Sequence, residues 1–314
     1  MTRMTKALMG RMRGSMLGLA VGDAVGAAVE FSPRGSFDPV TDMIGGGPFG
    51  LQPGEWTDDT SMALCLATSL VETGGFDAQD QMERYCRWRE EGYLSSNGRC
   101  FDIGGTVSRA LARFRETGEA MCGSTDPHTA GNGSLVRLAP IALFYHPESD
   151  DVRDRAAESS QTTHGAEECV ESCRYFADRL GVALAGSRKE KVLSPIEGED
   201  ASWLDTRSEG LLSVVRGEYQ AKSDEDIRGA GYVVDCLEAA MWCVHRGESY
   251  EETILLATNL GDDADSTAAV AGQLAGALYG EKGIPKRWLE LISHREMIAD
   301  LADRLASATP NVAD

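Results

Sequence analysis

Residues 261–278 read GDDADSTAAVAGQLAGAL, in which an acidic start leads into a long run of small, mostly apolar residues. Residues 56–71 are built in the same way, because WTDDT leads into SMALCLATSLV with almost no polar face. A helix that is apolar on all sides is buried, and alanine and glycine let neighbouring helices approach closely. The two stretches therefore predict two buried helices, each beginning with acids and hydroxyls at a surface cleft.

Helical periodicity dominates the rest of the chain, and no stretch alternates apolar and polar residues for long enough to predict a sheet. We expect an all-α fold, a compact multi-helix single domain over residues 1–314 with a metal cleft at helix N-termini. Residues 186–229 are polar and weakly periodic, which predicts a long connection or the seam between two lobes. The predicted helices cover residues 10–25, 58–71, 78–91, 107–117, 134–144, 151–160, 165–181, 208–216, 232–246, 250–259, 265–279 and 286–305.

The charge balance excludes several classes of protein. The chain has 314 residues, with 30 lysines and arginines against 50 aspartates and glutamates, and a formal net charge of −20. This charge repels phosphate backbones and anionic membrane surfaces, so neither nucleic-acid binding nor a membrane partner is expected. No segment reaches the roughly 18 uncharged apolar residues of a membrane helix, and we expect a cytoplasmic protein.

The eight cysteines are scattered along the chain, with no CxxC pair and no partnered histidines. Neither a zinc site nor a disulfide framework is expected from this spacing. Cys65 and Cys243 fall within apolar helical patterns, and we predict that both are core residues because free cysteine is usually buried.

The acidic helix starts have two interpretations. Aspartate, serine and threonine cap helices by accepting bonds from backbone N–H groups, but one carboxylate suffices for a cap. The sequence places two adjacent acids at the first start and three within four positions at the second. Close carboxylates repel each other unless a cation or protons compensate, so this excess favours a metal site. Oxygen ligands without cysteine or histidine select Mg²⁺, Mn²⁺ or Ca²⁺ over zinc.

Spacing narrows the ligand assignment at the second start. Asp263 and Asp265 flank Ala264 and can converge on one ion, with the Ser266 hydroxyl from the first turn, whereas Asp262 is the outlier. Five carboxylates in all can hold two ions. A pair of such ions polarises a substrate oxygen and lowers the pKa of a bound water, so hydrolysis is the natural chemistry.

The sequence resembles the ADP-ribosylglycohydrolase family, in particular the bacterial branch that reactivates dinitrogenase reductase by removing ADP-ribose from arginine. The resemblance covers most of the chain and depends on the order of several motifs, each weak alone. These motifs are Gly18-Leu19-Ala20-Val21-Gly22-Asp23-Ala24-Val25-Gly26 leading to Glu30, Trp56-Thr57-Asp58-Asp59-Thr60, Asp102-Ile103-Gly104, Gly131-Asn132-Gly133, Thr163-His164 and Asp263-Ala264-Asp265-Ser266.

The resemblance implies an all-α fold with a binuclear Mg²⁺ or Mn²⁺ centre in a cleft that receives the ribose joined to the leaving group. Ser266 departs from the family's usual threonine but keeps a hydroxyl, and Asp262 stands where relatives commonly have glycine, so its extra charge is expected to alter metal preference or crowd the site. The implied metal ligands are Thr57, Asp58, Asp59, Asp263, Asp265 and Ser266.

Three carboxylates are the candidate catalytic residues, namely Asp102, Glu30 and the metal ligand Asp59. Asp102 either caps the helix that follows it or, as the resemblance favours, contacts a guanidinium bidentately or assists ribosyl transfer together with Ile103 and Gly104. Glu30 is either a solvated helix end or, like its family counterpart, a residue beside the metals. The sequence leaves open which carboxylate is the general base.

Two further motifs are candidate substrate-binding sites. Gly131-Asn132-Gly133-Ser134 precedes the predicted helix at 134–144. It is either a turn or, through backbone N–H groups and the helix start, a pyrophosphate site. His164 is either a cap-region residue or, by resemblance, a contact to the distal ribose and phosphate.

The leading hypothesis is hydrolysis of the glycosidic bond between ADP-ribose and an acceptor, preferably arginine on a protein, with release of ADP-ribose. Two alternatives belong to other classes: a metal-dependent phosphohydrolase that splits nucleotide diphosphates and yields AMP, and a non-catalytic ADP-ribose-binding relative. The partner is an ADP-ribosylated protein or small molecule, and the oligomeric state and modified target are not readable from the sequence.

Overall fold

The computed structural model describes residues 5–196 and 198–308 and confirms the all-α prediction. Short 3₁₀ turns and isolated backbone bridges accompany the helices, and no β-strand forms among the described residues. Within these two ranges the α-helices are α1 Lys6–Gly26, α2 Asp58–Thr73, α3 Ala78–Glu91, α4 Gly105–Thr117, α5 Ala139–Tyr145, α6 Ser149–Gln161, α7 Glu167–Leu184, α8 Lys189–Val192, α9 Glu209–Val215, α10 Val233–Arg246, α11 Tyr250–Asn259, α12 Ala264–Tyr279, α13 Lys286–Leu291 and α14 Arg295–Ser307.

Helices α1 and α12 touch backbone to backbone. At four positions of α1, spaced four residues apart, the residue is glycine, and a Cβ on any of them would overlap a carbonyl oxygen of α12. The order of the pairs shows that the helices run antiparallel, so the end of α1 lies beside the start of α12. The pairs are Gly14 with Gly276, Gly18 with Gly272, Gly22 with Ala268 and Gly26 with Ala264.

The buried apolar side chains form two clusters. The larger is built around α1 and α12 and includes side chains of α2, α5, α7, α10, α11 and α14. The smaller lies between α2, α3 and α4, so α2 contributes to both. Cys65 and Cys243 are fully buried, as predicted. The expectation of a single domain over residues 1–314 stays a prediction.

The helix predicted over residues 134–144 begins five residues late, at Ala139. The amide side chain of Gln273, on α12, takes the place of helical hydrogen bonds in this segment. It accepts a bond from the N–H of Ala139 at 2.7 Å and donates to the carbonyls of Leu135 and Val136 at 3.3 and 2.8 Å. This long-range contact, together with Pro140 in the first turn, explains why periodicity placed the start wrongly.

The helix predicted over residues 286–305 is divided into α13 and α14. Ser293 lies in the break, where its N–H donates to the carbonyl of Gly54 at 2.9 Å and its carbonyl accepts from the indole of Trp56 at 3.3 Å. His294 follows with a left-handed φ of 52°. The break thus anchors the loop that leads into α2, and no local pattern marks it.

The other predicted boundaries lie within about four residues of those observed, and two helices, Ala78–Glu91 and Tyr250–Asn259, agree at both ends. Residues 186–229 form a connection that contains α8, α9 and short 3₁₀ turns. Helix α8 was not predicted because it is only four residues long. Within the described ranges, none of the helices has the length and apolar character needed to cross a bilayer.

The contact between α1 and α12 can be tested with one added methyl group. We expect Gly18→Ala to lower the free energy of unfolding by about 3 kcal/mol, the upper end for overpacking, because its Cβ would overlap the carbonyl of Gly272. Gly10→Ala in the same helix is the control, since no heavy atom other than those of the helix's own neighbouring backbone lies within 4 Å of that Cβ. The control should gain about 0.5–1 kcal/mol. Equal changes of the two variants in urea unfolding would contradict the backbone contact.

Candidate active site

The starts of α2 and α12 meet at a cleft of about 250 Å³. Twelve of the residues predicted from the sequence line it, although they come from six separate segments of the chain. They are Glu30, Asp58, Asp59, Asp102, Gly104, Gly131, Asn132, Gly133, His164, Asp263, Asp265 and Ser266.

Asp23, near the end of α1, holds the start of α2. Its fully buried carboxylate accepts bonds from the N–H of Thr57 at 2.8 Å and from the N–H and hydroxyl of Thr60 at 3.0 and 2.6 Å. The N-cap residues of α2 and α12, Thr57 and Asp263, make no side-chain cap bond of their own. The prediction that these side chains bond the first N–H groups is therefore wrong, while Asp58, Asp59 and Asp265 still lie in the first turns, where a carboxylate offsets the helix dipole.

Three buried carboxylate oxygens of the cleft have no hydrogen-bond partner within residues 5–196 and 198–308. They are Oε2 of Glu30, Oδ2 of Asp59 and Oδ1 of Asp265. One oxygen each from Glu30, Asp102 and Asp265 lies within 4.8 Å of the others. Removing a charge from water without a partner costs several kcal/mol, so this donor set fits an oxygen-preferring cation.

The carboxyl groups of the cleft share raised pKa values. Burial, followed by repulsion from Asp102 and Asp263, raises the pKa of Glu30 to about 9. Burial also raises the pKa of Asp102 to about 7. The pKa values of Asp58, Asp59 and Asp265 lie well above the ordinary range, first through burial and then through neighbouring carboxylates. A divalent cation would oppose these effects, because an opposite charge favours the ionised form.

Two loop contacts place Asp263 at the cleft. Its N–H donates to the carbonyl of Gly229 at 2.8 Å, and its carboxylate accepts from the amide of Asn132 at 2.7 Å. The N–H of Asn132 donates in turn to the carbonyl of Gly231 at 3.0 Å. Residues 229–231 therefore join the acidic loop, residues 261–263, to the glycine loop, residues 131–134. The weak periodicity of residues 186–229 does not indicate this role.

Asp262 differs from the neighbouring acids. It is exposed and does not line the cleft, so its side chain does not crowd the site, although its charge contributes to raising the pKa of Asp263. Its effect on metal preference stays a prediction. Its backbone has a φ of 55°, the left-handed region that favours glycine and tolerates aspartate. The N–H of Asp262 donates to Ser32 at 2.8 Å, and its carbonyl accepts from the N–H of Phe31 at 2.6 Å. These bonds tie the segment after Glu30 to the acidic loop.

Asp102 lies at the rim of the cleft, in a loop with a left-handed φ of 60°. Helix α4 begins at Gly105 with Gly104 as its N-cap, and no side chain makes the cap bond. The alternative that Asp102 caps this helix is therefore wrong. The ring of the neighbouring Phe101 packs against that of Phe49, with 5.3 Å between the ring centroids, and this contact helps to hold the loop.

His164 is 2% exposed and faces the glycine loop. A Cβ on Gly133 would lie 3.3 Å from the ring Nε2, so glycine is needed for the imidazole to stand where it does. Burial lowers the pKa of His164 to about 3. The imidazole is therefore neutral near pH 7.

Tight turns follow the glycine loop and α5 begins only at Ala139, so the helix start is not continuous with the loop. The N–H groups of Gly131 and Asn132 donate to the carbonyls of Thr129 and Gly231. Among the described residues this leaves the N–H groups of Gly133 and Ser134 for a ligand. The Ser134 side chain is buried and accepts a bond from the hydroxyl of Ser160 at 2.8 Å, away from the cleft.

Two other predicted residues also lie outside the cleft lining. Thr57 is fully buried, and its hydroxyl donates to Oδ2 of Asp265 at 3.3 Å. It therefore contacts the carboxylate cluster without lining the cleft. Ile103 packs against the smaller apolar cluster.

Sequence reasoning missed Asp23 as a capping residue, although an aspartate beside Gly22 within an apolar helical pattern was a usable signal. It also missed several residues that line the cleft, namely Phe31, Gly105, Thr106, Val107 and Gly231.

The fold and the cleft define an all-helical protein with a carboxylate cluster suited to a cation beside a glycine loop and a neutral histidine. The ADP-ribosylglycohydrolase family model matches residues 4–313. The chain belongs to this family and is an enzyme of that type, as the sequence motifs predicted.

Several relatives cover nearly the whole chain. It is 45% identical over 300 residues to ADP-ribosylarginine hydrolase Tri1 of Serratia proteamaculans, covering 96% of this chain and 80% of that protein. It is 31% identical over 271 residues to the ADP-ribosyl-dinitrogen reductase glycohydrolase of Rhodospirillum rubrum, with coverages of 84% and 83%. A solved structure described as an ADP-ribosylglycohydrolase-related protein complex matches with a TM-score of 0.86 at 44% identity, covering 98% of this chain and all of that one.

The adjacent acids Asp262 and Asp263 allow a charge-matched test of whether the carboxylate cluster binds a metal ion. We expect Mg²⁺ or Mn²⁺ to raise the melting temperature of the chelator-treated protein and to raise that of Asp262→Asn equally, because the Asp262 side chain is outside the cleft. Asp263→Asn removes the same charge one residue away. It should melt at a higher temperature than the metal-free parent, since repulsion falls, and should lose most of the metal-induced increase. Equal metal responses of the two variants would exclude Asp263 as a ligand.

Proposed function

We propose that the protein hydrolyses the glycosidic bond between the anomeric carbon of ADP-ribose and the guanidinium of a modified arginine, with two divalent cations in the cleft. The observation that carries the proposal is the group of buried, unpartnered carboxylate oxygens on Glu30, Asp59 and Asp265 at the end of a cleft that also holds a glycine loop. The names of the relatives from Serratia proteamaculans and Pseudomonas putida, both ADP-ribosylarginine hydrolase Tri1, support arginine as the acceptor.

Six oxygen-bearing side chains are the proposed metal ligands: Thr57, Asp58, Asp59, Asp263, Asp265 and Ser266. All belong to the starts of α2 and α12, and all but Thr57 line the cleft. When bound, Mg²⁺ or Mn²⁺ would orient the ribose hydroxyls and stabilise charge as the glycosidic bond breaks. The donor set contains oxygen atoms alone, which suits either ion.

Asp102 and Glu30 differ in their exposure, and we assign them different roles in guanidinium binding and proton transfer. Asp102 is the more exposed of the two and lies at the rim beside exposed Gly104 and Gly105, where it can bind the acceptor guanidinium through both carboxylate oxygens. Glu30 is 3% exposed and lies deeper, where it can take the proton of the attacking water once bound cations favour its ionised form. Two carboxylates on either side of the scissile bond follow the general logic of glycoside hydrolysis. Asp59 contributes as a proposed metal ligand, and the charges of Asp102 and Glu30 both act on its carboxyl group.

The other end of the substrate meets neutral groups. Gly133, whose N–H makes no hydrogen bond among the described residues, and the ring of His164 line the cleft together with the carboxylates. Donors of this kind suit a diphosphate, because N–H groups bind phosphate oxygens without requiring a cationic side chain.

Product analysis tests the proposal directly. The purified protein is incubated with Mg²⁺ or Mn²⁺ and arginine-linked or serine-linked ADP-ribosyl peptides, with chelator as the control, and both products are read by mass spectrometry. We expect metal-dependent release of intact ADP-ribose from the arginine-linked peptide. Release from serine alone would move the acceptor assignment, AMP would show a phosphohydrolase, and binding of ADP-ribose without release would show a non-catalytic relative.

The proposed binding of the acceptor guanidinium by Asp102 can be tested by substitution. Asp102→Asn should lower kcat/KM for the arginine-linked peptide by about 10² or more, because the amide cannot pair both oxygens with a guanidinium. The affinity for free ADP-ribose, measured by calorimetry, should change by less than about threefold, since the product lacks that group. Asp262→Asn is the charge-matched control. Loss of ADP-ribose affinity equal to the loss of turnover would place Asp102 elsewhere in the mechanism.

A further inference from the structure

Arg137 lies just beyond the glycine loop and is fully buried. A buried guanidinium ordinarily faces a carboxylate, because an unpaired charge in the interior is costly. In the described part of the chain, the groups that this guanidinium contacts are all neutral. They are the sulfur of Met62, the carbonyl of Ser159, the hydroxyls of Thr162 and Thr163, and the ring of Tyr85.

The shortest of these contacts leads to the cleft. Arg137 Nη2 donates to the hydroxyl oxygen of Thr163 at 2.8 Å, and that oxygen lies 2.8 Å from Nδ1 of His164. Arginine has only donors, so the Thr163 oxygen must accept from Arg137. Thr163 is fully buried, and among the described residues its own O–H has Nδ1 as the one acceptor within hydrogen-bond distance.

This chain of bonds decides where the ring proton of His164 is. A neutral imidazole carries one proton, and the nitrogen that accepts a hydrogen bond is the one without it. If Nδ1 carried the proton, it would donate to the Thr163 oxygen and leave the buried Thr163 O–H without an acceptor among the described residues, which is unfavourable. Nδ1 is therefore assigned as the acceptor and Nε2 as the nitrogen that carries the proton. That nitrogen faces the glycine loop, since a Cβ on Gly133 or Gly131 would lie 3.3 or 3.6 Å from it.

The main chain of His164 is held by hydrogen bonds as well, which fixes the position of the Cα that carries the ring. Its N–H donates to the carbonyl of Ser160 at 2.7 Å, and its carbonyl accepts from the Ser160 hydroxyl at 2.8 Å. The next N–H, of Gly165, donates to Ser124 at 2.9 Å.

We propose that Arg137 and Thr163 are positioning residues that keep the ring proton of His164 on Nε2, so that the cleft presents one fixed, neutral N–H donor to a phosphate or ribose oxygen. The identity of the ligand rests on the proposed function, whereas the position of the proton does not. Arg137 acts only through Thr163 and does not touch the ligand.

Nuclear magnetic resonance of protein labelled with ¹⁵N-histidine tests the proton position without any substrate. The His164 signals are assigned by their loss in His164→Gln. We expect Nε2 to show the chemical shift of a protonated nitrogen and Nδ1 that of an unprotonated one, unchanged across the neutral pH range. In Thr163→Val the hydroxyl donor is gone, and the two tautomers should mix. A proton on Nδ1 in the parent, or an unaltered pattern in Thr163→Val, would overturn the proposal.

Binding of ADP-ribose, measured by calorimetry, gives a second readout. Thr163→Val should bind about tenfold more weakly, the size expected when one hydrogen bond loses its fixed donor. Thr258→Val is the matched control, because Thr258 is also fully buried and its hydroxyl has no partner among the described residues. The control should keep both the affinity and the His164 spectrum, and an equal loss there would contradict the proposal.

A double-mutant cycle tests whether Arg137 acts through Thr163. Arg137→Met combined with Thr163→Val should bind ADP-ribose no more than about twofold more weakly than Thr163→Val alone, because both changes break one chain of bonds. Fully additive losses would contradict this part. If Arg137→Met does not fold, as judged by circular dichroism, Thr163→Val still decides the proposal. If the parent does not bind ADP-ribose, the proposed function fails while the spectra still test the proton position.

Discussion

The structure depends on the backbone contact between α1 and α12. Because glycine recurs along α1 where the carbonyls of α12 approach, the two helices come together more closely than any side chain would allow. The antiparallel arrangement then sets the end of α1, with Asp23 and the segment leading to Glu30, beside the acidic start of α12. A larger side chain in this contact would separate residues that lie more than two hundred positions apart in the chain.

Asp23 links the contact between α1 and α12 to the start of α2, which is the third element of the site. Its buried carboxylate takes over the cap of α2 from a different helix, so the acids at the start of α2 are free to point into the cleft. The result is a dense group of carboxylates in a buried place, which is unfavourable for the metal-free protein. In the same arrangement an oxygen-preferring cation would be a stabilising ligand, and its binding would then be coupled to stability.

The sequence predicted the helical fold and most of the site, because both are marked by local patterns. Apolar helices with acidic starts and short ordered motifs placed twelve residues that do line one cleft. Features set by distant contacts were not predictable in this way. The late start of α5 depends on Gln273, the break before α14 depends on Gly54 and Trp56, and the cap supplied by Asp23 has no signal in the residues that it caps.

The central claim is that the starts of α2 and α12 together bind divalent cations. The most direct measurement is an anomalous difference map from a crystal of the protein soaked in Mn²⁺. We expect two peaks, each within bonding distance of carboxylate oxygens from the set Asp58, Asp59, Asp263 and Asp265, with Thr57 or Ser266 adjacent. A map without a peak among these residues, at Mn²⁺ concentrations that support turnover, would contradict it.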